Sequence, residues 1–200
     1  MSDHTSAIRG LRRWHPNPLV RETIATIRSY GWAITAISEQ CTCGSPACAP
    51  PDCSFAYTTG ATLHSLPELA VYGLDAQTSC DVLNELVNIL HHHDWHELID
   101  HRIPLALESF DLPIHLIEMI DKDDLLITNE LFPNAPALQV VWPDDYGSYP
   151  WEEEYSLDQV TQLLKGVVGT GAERVRGRRV ILRNDGPNRA ERRVAARKRR

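Results

Sequence analysis

The densest chemistry in this chain lies in four cysteines. Cys41, Cys43, Cys48 and Cys53 fall within thirteen positions, in the stretch CTCGSPACAPPDC, spaced C-x-C-x4-C-x4-C. Four thiolates can fill a zinc tetrahedron, and a closed set leaves no open position, so the spacing predicts a structural zinc site rather than a catalytic one. Gly44 offers a turn beside Cys43, while Pro46, Pro50 and Pro51 limit the freedom of the unbound loop. The loop has few apolar residues to hold it down, so a bound metal would supply stability it otherwise lacks. Free surface thiols and a disulfide are the competing readings. The start of the chain has arginines but no apolar stretch after them, so no secretory signal is read and a cytoplasmic, reducing setting is expected, which disfavours disulfides. His64 or Asp52 stands as an alternative fourth ligand, and Cys80 is read as a buried residue at a helix start. On this reading the loop is a clip that positions Thr58 and Gly60.

The run LHHHDWHELIDH suggests a zinc protease only at first sight. That chemistry needs histidines at i and i+4 flanking a glutamate, whereas His96-Glu97 is followed by Asp100 at i+4 and His101 at i+5. A helix places i+5 about 140° from i. His92 and His96 share a face if one helix runs through both, but a polar helix end explains the run more simply.

Two further stretches offer ligand chemistry. WPDDYGSYPWE places Asp144 and Glu152 beside Trp142 and Trp151, and two carboxylates can act as acid and base if they converge. The opposing reading is structural: Pro143 ends a strand, Gly147 makes a turn and the tryptophans cover a sheet edge. FAYTTG places Tyr57, Thr58, Thr59 and Gly60 at a strand end. By fold analogy with flavin-binding split barrels, such groups could hold a phosphate. No nucleophile, phosphate loop or dinucleotide fingerprint accompanies them, and no catalytic residue is assigned.

The charge is divided along the chain. From position 173 onward there are twelve basic residues against three acidic ones, a net of +9; the rest holds eight against twenty-four, a net of −16. Arg189, Arg192, Arg193, Arg197, Lys198, Arg199 and Arg200 are the candidate contacts to a polyanion, either nucleic acid or an acidic protein. No aromatic is interleaved with them, so base stacking is not expected. A solvated tail is the competing reading.

These features need elements to carry them. Val20, Ile24 and Ile27 recur on one face and predict a helix over residues 19–30, closed by Gly31. WAITAIS, FAYTT, PELAVYGL and ALQVVW read as strands. Val82, Leu83, Leu86, Val87 and Leu90 make a helical stripe over residues 80–92, capped by Thr78 or Ser79. Residues 104–131 carry mixed signals, with a strongly apolar run at 114–120 and either a turn or a short helix starting at 121–124. YSLDQVTQLL predicts a short helix over residues 155–164. Residues 1–18 are read as a loosely ordered terminus, 19–166 as one domain and 167–200 as a glycine-jointed basic arm. The order argues α+β with a mostly antiparallel, split-barrel-like sheet. No apolar run approaches the ~20 residues of a membrane helix.

FAYTTG, PELAVYGL, the helix containing LNEL, and ALQVVWPDDYGSYPWE resemble, in the same order, the domain-of-unknown-function family 4262, and GWAITAI fits its first strand. The resemblance covers residues 23–165 and rests chiefly on the WPD-x-x-G-x-x-PWE block. It implies a fold and no activity. This chain departs from the family pattern in the four-cysteine loop, in the TGA after FAYT, and in the basic arm. The expectation is a cytoplasmic, non-catalytic binding or accessory protein with a zinc loop. The alternative is an enzyme of unknown substrate, flavin- or nucleotide-binding, with its pocket between FAYTTG and WPD…PWE.

Overall fold

The computed structural model describes residues 4–37 and 54–166. Helix α1 (His4–Ala7) and a 3-10 turn (Ile8–Gly10) precede helix α2 (Pro18–Tyr30). The Asn17 side chain caps α2 by accepting from the Leu19 amide, Pro18 starts it, and Gly31 closes it with its N–H on the Ile27 carbonyl. Val20, Ile24 and Ile27 are its buried face. Residues 4–11, read from the sequence as loosely held, lie against α2: His4 bonds the Arg28 carbonyl, the Arg28 guanidinium bonds the Leu11 carbonyl, and Leu11 is buried.

Strands β1 (Ala33–Ile37) and β2 (Phe55–Thr59) form an antiparallel pair, with Ile37 opposite Phe55 and Ala33 opposite Thr59. A 3-10 turn (Ala61–His64) leads to β3 (Glu68–Tyr72), then α3 (Ala76–Leu90) and α4 (Trp95–Asp100). Strand β4 (His115–Glu118), helix α5 (Leu126–Leu131) and strand β5 (Ala137–Val141) complete the described order. The sheet runs β1-β2-β3-β5-β4, with only β3 and β5 parallel. It is α+β, as expected, but open, with β1 and β4 as edges rather than closed into a barrel.

Strand alternation sends side chains to two covered faces. On one, Ala56, Leu69, Val71, Leu138 and Val140 meet Val82, Leu83, Leu86 and Leu90 of α3. On the other, Tyr57, Ala70, Tyr72 and Ala137 pack with Leu125 and Ile127, while α2 covers Ala33. All five residues of both β3 and β5 are buried, as befits central strands.

Two expectations are corrected and one open reading is decided. The α3 cap is Asp75, which accepts from the amides of Gln77 and Thr78, so the helix starts earlier than the stripe of leucines shows. The stretch from 121, left open between a turn and the start of a short helix, holds a turn at 123–124, and helix α5 follows it. Residues 155–164 form turns and extended chain, not a helix. The reason is competition from side chains. Gln162 donates to the Trp142 carbonyl and accepts from its amide, and Gln139 donates to the Leu163 carbonyl and accepts from the Lys165 amide. Backbone groups that a helix would use are bound to the sheet instead. The segment thus becomes a strap across the ends of β3 and β5.

Candidate functional site

At the β2 end, FAYTTG builds a compact polar knot. Glu68, at the start of β3, is fully buried. Its carboxylate accepts from the Thr58 hydroxyl at 2.7 Å, the Gly60 amide at 2.9 Å, the Thr62 amide at 3.1 Å and the Ala61 amide at 3.3 Å. The Leu69 amide donates to the Thr58 oxygen. Burial raises the Glu68 pKa above the ordinary carboxyl value, against the pull of these donors. Three successive amides at a turn make an anion cradle, and this chain fills it with its own carboxylate. The Thr59 hydroxyl pairs with that of Thr128, which also donates to the Thr58 carbonyl. The Tyr57 hydroxyl accepts from the Ile127 amide, and burial raises its pKa. Glu68 carries no motif, but an acid heading an otherwise apolar strand, directly after a Thr-Thr-Gly turn, was the signal that could have found it.

The WPD…PWE block sits at the other end of the sheet. β2 runs antiparallel to β3, with Phe55 opposite Tyr72, and β5 runs parallel to β3, with Glu68 opposite Ala137. Thr58–Gly60 therefore lie at the beginning of β3 and β5, and Trp142, Asp144 and the remainder of the block lie past their far ends. The Trp142 indole donates to the Tyr72 carbonyl at 2.8 Å. Asp144 is buried and accepts four hydrogen bonds: the Tyr146 and Ser148 amides on Oδ1, and the Ser156 amide and hydroxyl on Oδ2. Burial alone would raise its pKa, but the Ser156, Ser148 and Tyr146 donors hold it down to about 2. Glu152 accepts from the Tyr149 amide. Trp151 stacks on Tyr149 with ring centroids 5.1 Å apart.

A residue the sequence reading did not single out completes this group. His115, on edge strand β4, meets Tyr149 at 4.6 Å and Trp151 at 5.8 Å between ring centroids. Its buried Nδ1 has no hydrogen-bond partner. Burial, with a smaller contribution from the Arg102 charge, lowers its pKa from 6.5 to about 4. The imidazole is therefore neutral at pH 7 and packs as an aromatic wall.

Residues 26–156 match the family model described as "Domain of unknown function (DUF4262)". The chain belongs to this family. Comparison with curated proteins and with solved structures finds no match. The DUF4262 segment contains the whole sheet, Glu68, Asp144 and the cysteine loop, while His4 and the basic arm lie outside it.

The expected pocket residues of the DUF4262 domain thus form two groups: Tyr57, Thr58, Thr59 and Gly60 at one end of the central strands, and Trp142, Asp144, Trp151 and Glu152 at the other. Cys41, Cys43, Cys48 and Cys53, with Asp52, lie outside the described residues, as do the seven basic residues of the arm. The flanks of the cysteine loop are described. Ile37 and Phe55 are at the Tyr72–Trp142 end of the sheet, so the loop is anchored beside WPD…PWE and away from Thr58 and Gly60. His64 follows the opposite end of that hairpin, near Gly31 rather than the loop's anchor points. The histidine run is also divided: α3 ends at Leu90, and Asp94 caps a separate helix by accepting from the His96 amide. Cys80 is partly buried, and burial, then the charges of Asp81 and Asp75, raise its thiol pKa, so it stays protonated. No helix among the described residues is long and apolar enough to cross a membrane.

Proposed function

We propose that this DUF4262 protein is a cytoplasmic binding or accessory protein, with a structural zinc ion on Cys41, Cys43, Cys48 and Cys53 and a basic arm that grips nucleic acid. The observation that carries the non-catalytic reading is how the candidate acids are engaged. Asp144 organises its own loop through four donors, Glu152 holds the Tyr149 amide, and Glu68 occupies the amide cradle that a phosphate would need. Each carboxylate already has its partners inside the fold, and the two groups sit at opposite ends of the sheet. The enzyme reading requires them to converge.

The zinc loop is supported by the thiol spacing, and the arm by the division of charge between −16 and +9. Phosphate contacts release counterions, so binding through Arg189, Arg192, Arg193, Arg197, Lys198, Arg199 and Arg200 falls steeply with salt. Deleting residues 188–200 is expected to abolish salt-sensitive retention on single- and double-stranded nucleic acid in a filter-binding titration. Equal binding by the full-length and truncated chains would refute the tether. Elemental analysis is expected to find zinc in the purified chain, lost on Cys43→Ser or Cys48→Ser. Metal content unchanged by both variants would refute the loop site.

A further inference from the structure

The outer edge of β4 is closed at both ends and open between them. On its inner side β4 pairs with β5, and just past the strand the Met119 amide donates to the Ala137 carbonyl. The alternation of an antiparallel ladder then turns the peptide groups of His115 and Ile117 toward β5 and those of Ile114, Leu116, Glu118 and Ile120 outward. Two of these outward residues have partners. Ile114 exchanges hydrogen bonds with Leu105 at 2.8 and 2.9 Å, and the Ile120 amide donates to the Lys165 carbonyl at 3.0 Å. Leu116 and Glu118, between them, meet no outer backbone partner among the described residues.

The described chain reaches its last residue on this same edge. Gly166 bridges Met119 in the antiparallel sense, so the chain is running back along β4 toward His115. Lys165 fixes the starting point. Its Nζ pairs with Asp121 at 2.8 Å and Asp124 at 3.0 Å, and its amide donates to the Gln139 side chain at 2.7 Å. The approach is close enough to require glycine: a Cβ on Gly166 would run into the Glu118 carbonyl oxygen and lie 3.0 Å from the Ile117 side chain.

We propose that the open edge of β4 is the docking site of this chain's own residues 167–170, Val-Val-Gly-Thr, which add a sixth strand antiparallel to β4. The bridge sets the register. With Gly166 opposite Met119, positions 167, 168, 169 and 170 fall opposite Glu118, Ile117, Leu116 and His115. The peptide groups of 167 and 169 then serve Glu118 and Leu116, and the Leu105–Ile114 bridge stops the pairing beyond them. Val168 comes to the face where Ile117 packs with Val141 and Tyr149, and β-branched residues suit a pleated strand. A second copy would have to displace a segment bonded directly to Gly166, and tethering gives that segment the higher effective concentration. The pairing also fixes where the basic arm leaves the body. It departs at the His115 end, beside Trp151 and the exposed Glu152, which is opposite in sign to the twelve basic residues from position 173 onward. None of this depends on whether the arm grips nucleic acid.

Solution NMR of the full-length chain reads the edge directly. One expected result is a cross-strand contact between the α-protons of Ile117 and Val168, a non-hydrogen-bonded pair with Cα atoms ~4.5 Å apart. The other is amide exchange at Leu116 and Glu118 that is slower by at least about tenfold than in Gly169→Pro, which removes the donor to the Leu116 carbonyl. Absence of the α-proton contact, or equal exchange at both amides in the two chains, overturns the proposal. A dimer in sedimentation whose dilution frees these amides gives the edge to a second copy and overturns it equally. If Gly169→Pro does not fold, the α-proton contact in the wild-type monomer decides alone.

Discussion

Acid should destabilise this protein through His115, by an amount that can be worked out. The ring is buried against Tyr149 and Trp151, and its pKa falls from 6.5 to about 4, first by burial and then by the Arg102 charge. The unfolded chain therefore takes up the proton first as pH drops. Stability from the neutral ring is complete above about pH 6.5 and is lost as pH falls through that value toward 4. At ~1.4 kcal/mol per pH unit, the gap between 6.5 and about 4 corresponds to about 3 kcal/mol. Two other buried acids do not mimic this. Asp144, held to about 2, stays ionised across the window. Glu68, with its folded pKa raised above 4.5, acts in the opposite sense, its contribution declining as pH rises. The assay is urea unfolding, followed by tryptophan fluorescence at several pH values between 7 and 4, for wild type and His115→Gln. Glutamine has no titration in this range, so the comparison reads the slope and not the packing cost. Wild type is expected to lose about 3 kcal/mol more than the variant between pH 7 and 4. Parallel curves would refute the reasoning.

Two pairs of substitutions test the geometry. Glu68→Ala strands three amides and the Thr58 hydroxyl in a sealed interior and is expected to cost about 3 kcal/mol or more in urea unfolding. Glu68→Gln, which keeps one acceptor oxygen, should cost less, and equal losses would contradict the cradle. Gly73→Ala drives a Cβ into the Thr161 carbonyl oxygen at φ +81, whereas Gly147→Ala at φ +86 meets nothing within 4 Å. The first is expected to displace the strap at a cost of about 3 kcal/mol, the second to cost only the backbone strain of about 1 kcal/mol. Similar melting temperatures for both would show that the strap does not press on Gly73.

The parts of the fold written in local pattern were legible. Val20, Ile24 and Ile27 announced α2, and Gly31 its end; the β-branched and aromatic runs gave β1, β2, β3 and β5. The misreadings arose where distant side chains decide the backbone. YSLDQVTQLL has the composition of a helix, but Gln139 of β5 binds the Leu163 carbonyl and the Lys165 amide, and Gln162 reaches across to the Trp142 peptide. Asp75 lies outside the apolar stripe, so the stripe placed the start of α3 too late. The candidate site was legible only as types. Asp144 and Glu152 look like an acid–base pair in the sequence, and the donors that engage them, Ser148, Ser156 and the Tyr149 amide, carry no pattern that marks them as partners. The place of His115 depends on strand order, which no spacing reveals.

The single parallel contact between β3 and β5 has a consequence for how the chain acquires its shape. β1, β2 and β3 are antiparallel neighbours in sequence order and can pair soon after synthesis. The centre of the sheet cannot close until Ala137–Val141 has been made, because Glu68–Val71 waits for partners that lie beyond three helices and β4. Until then the β3 edge, apolar after Glu68, is open to pairing with another chain. Non-local pairing of this kind slows folding and lengthens that exposure. The interval between emergence of β3 and arrival of β5 is therefore when this protein is most vulnerable to aggregation, and a ribosome that pauses within it lengthens the risk.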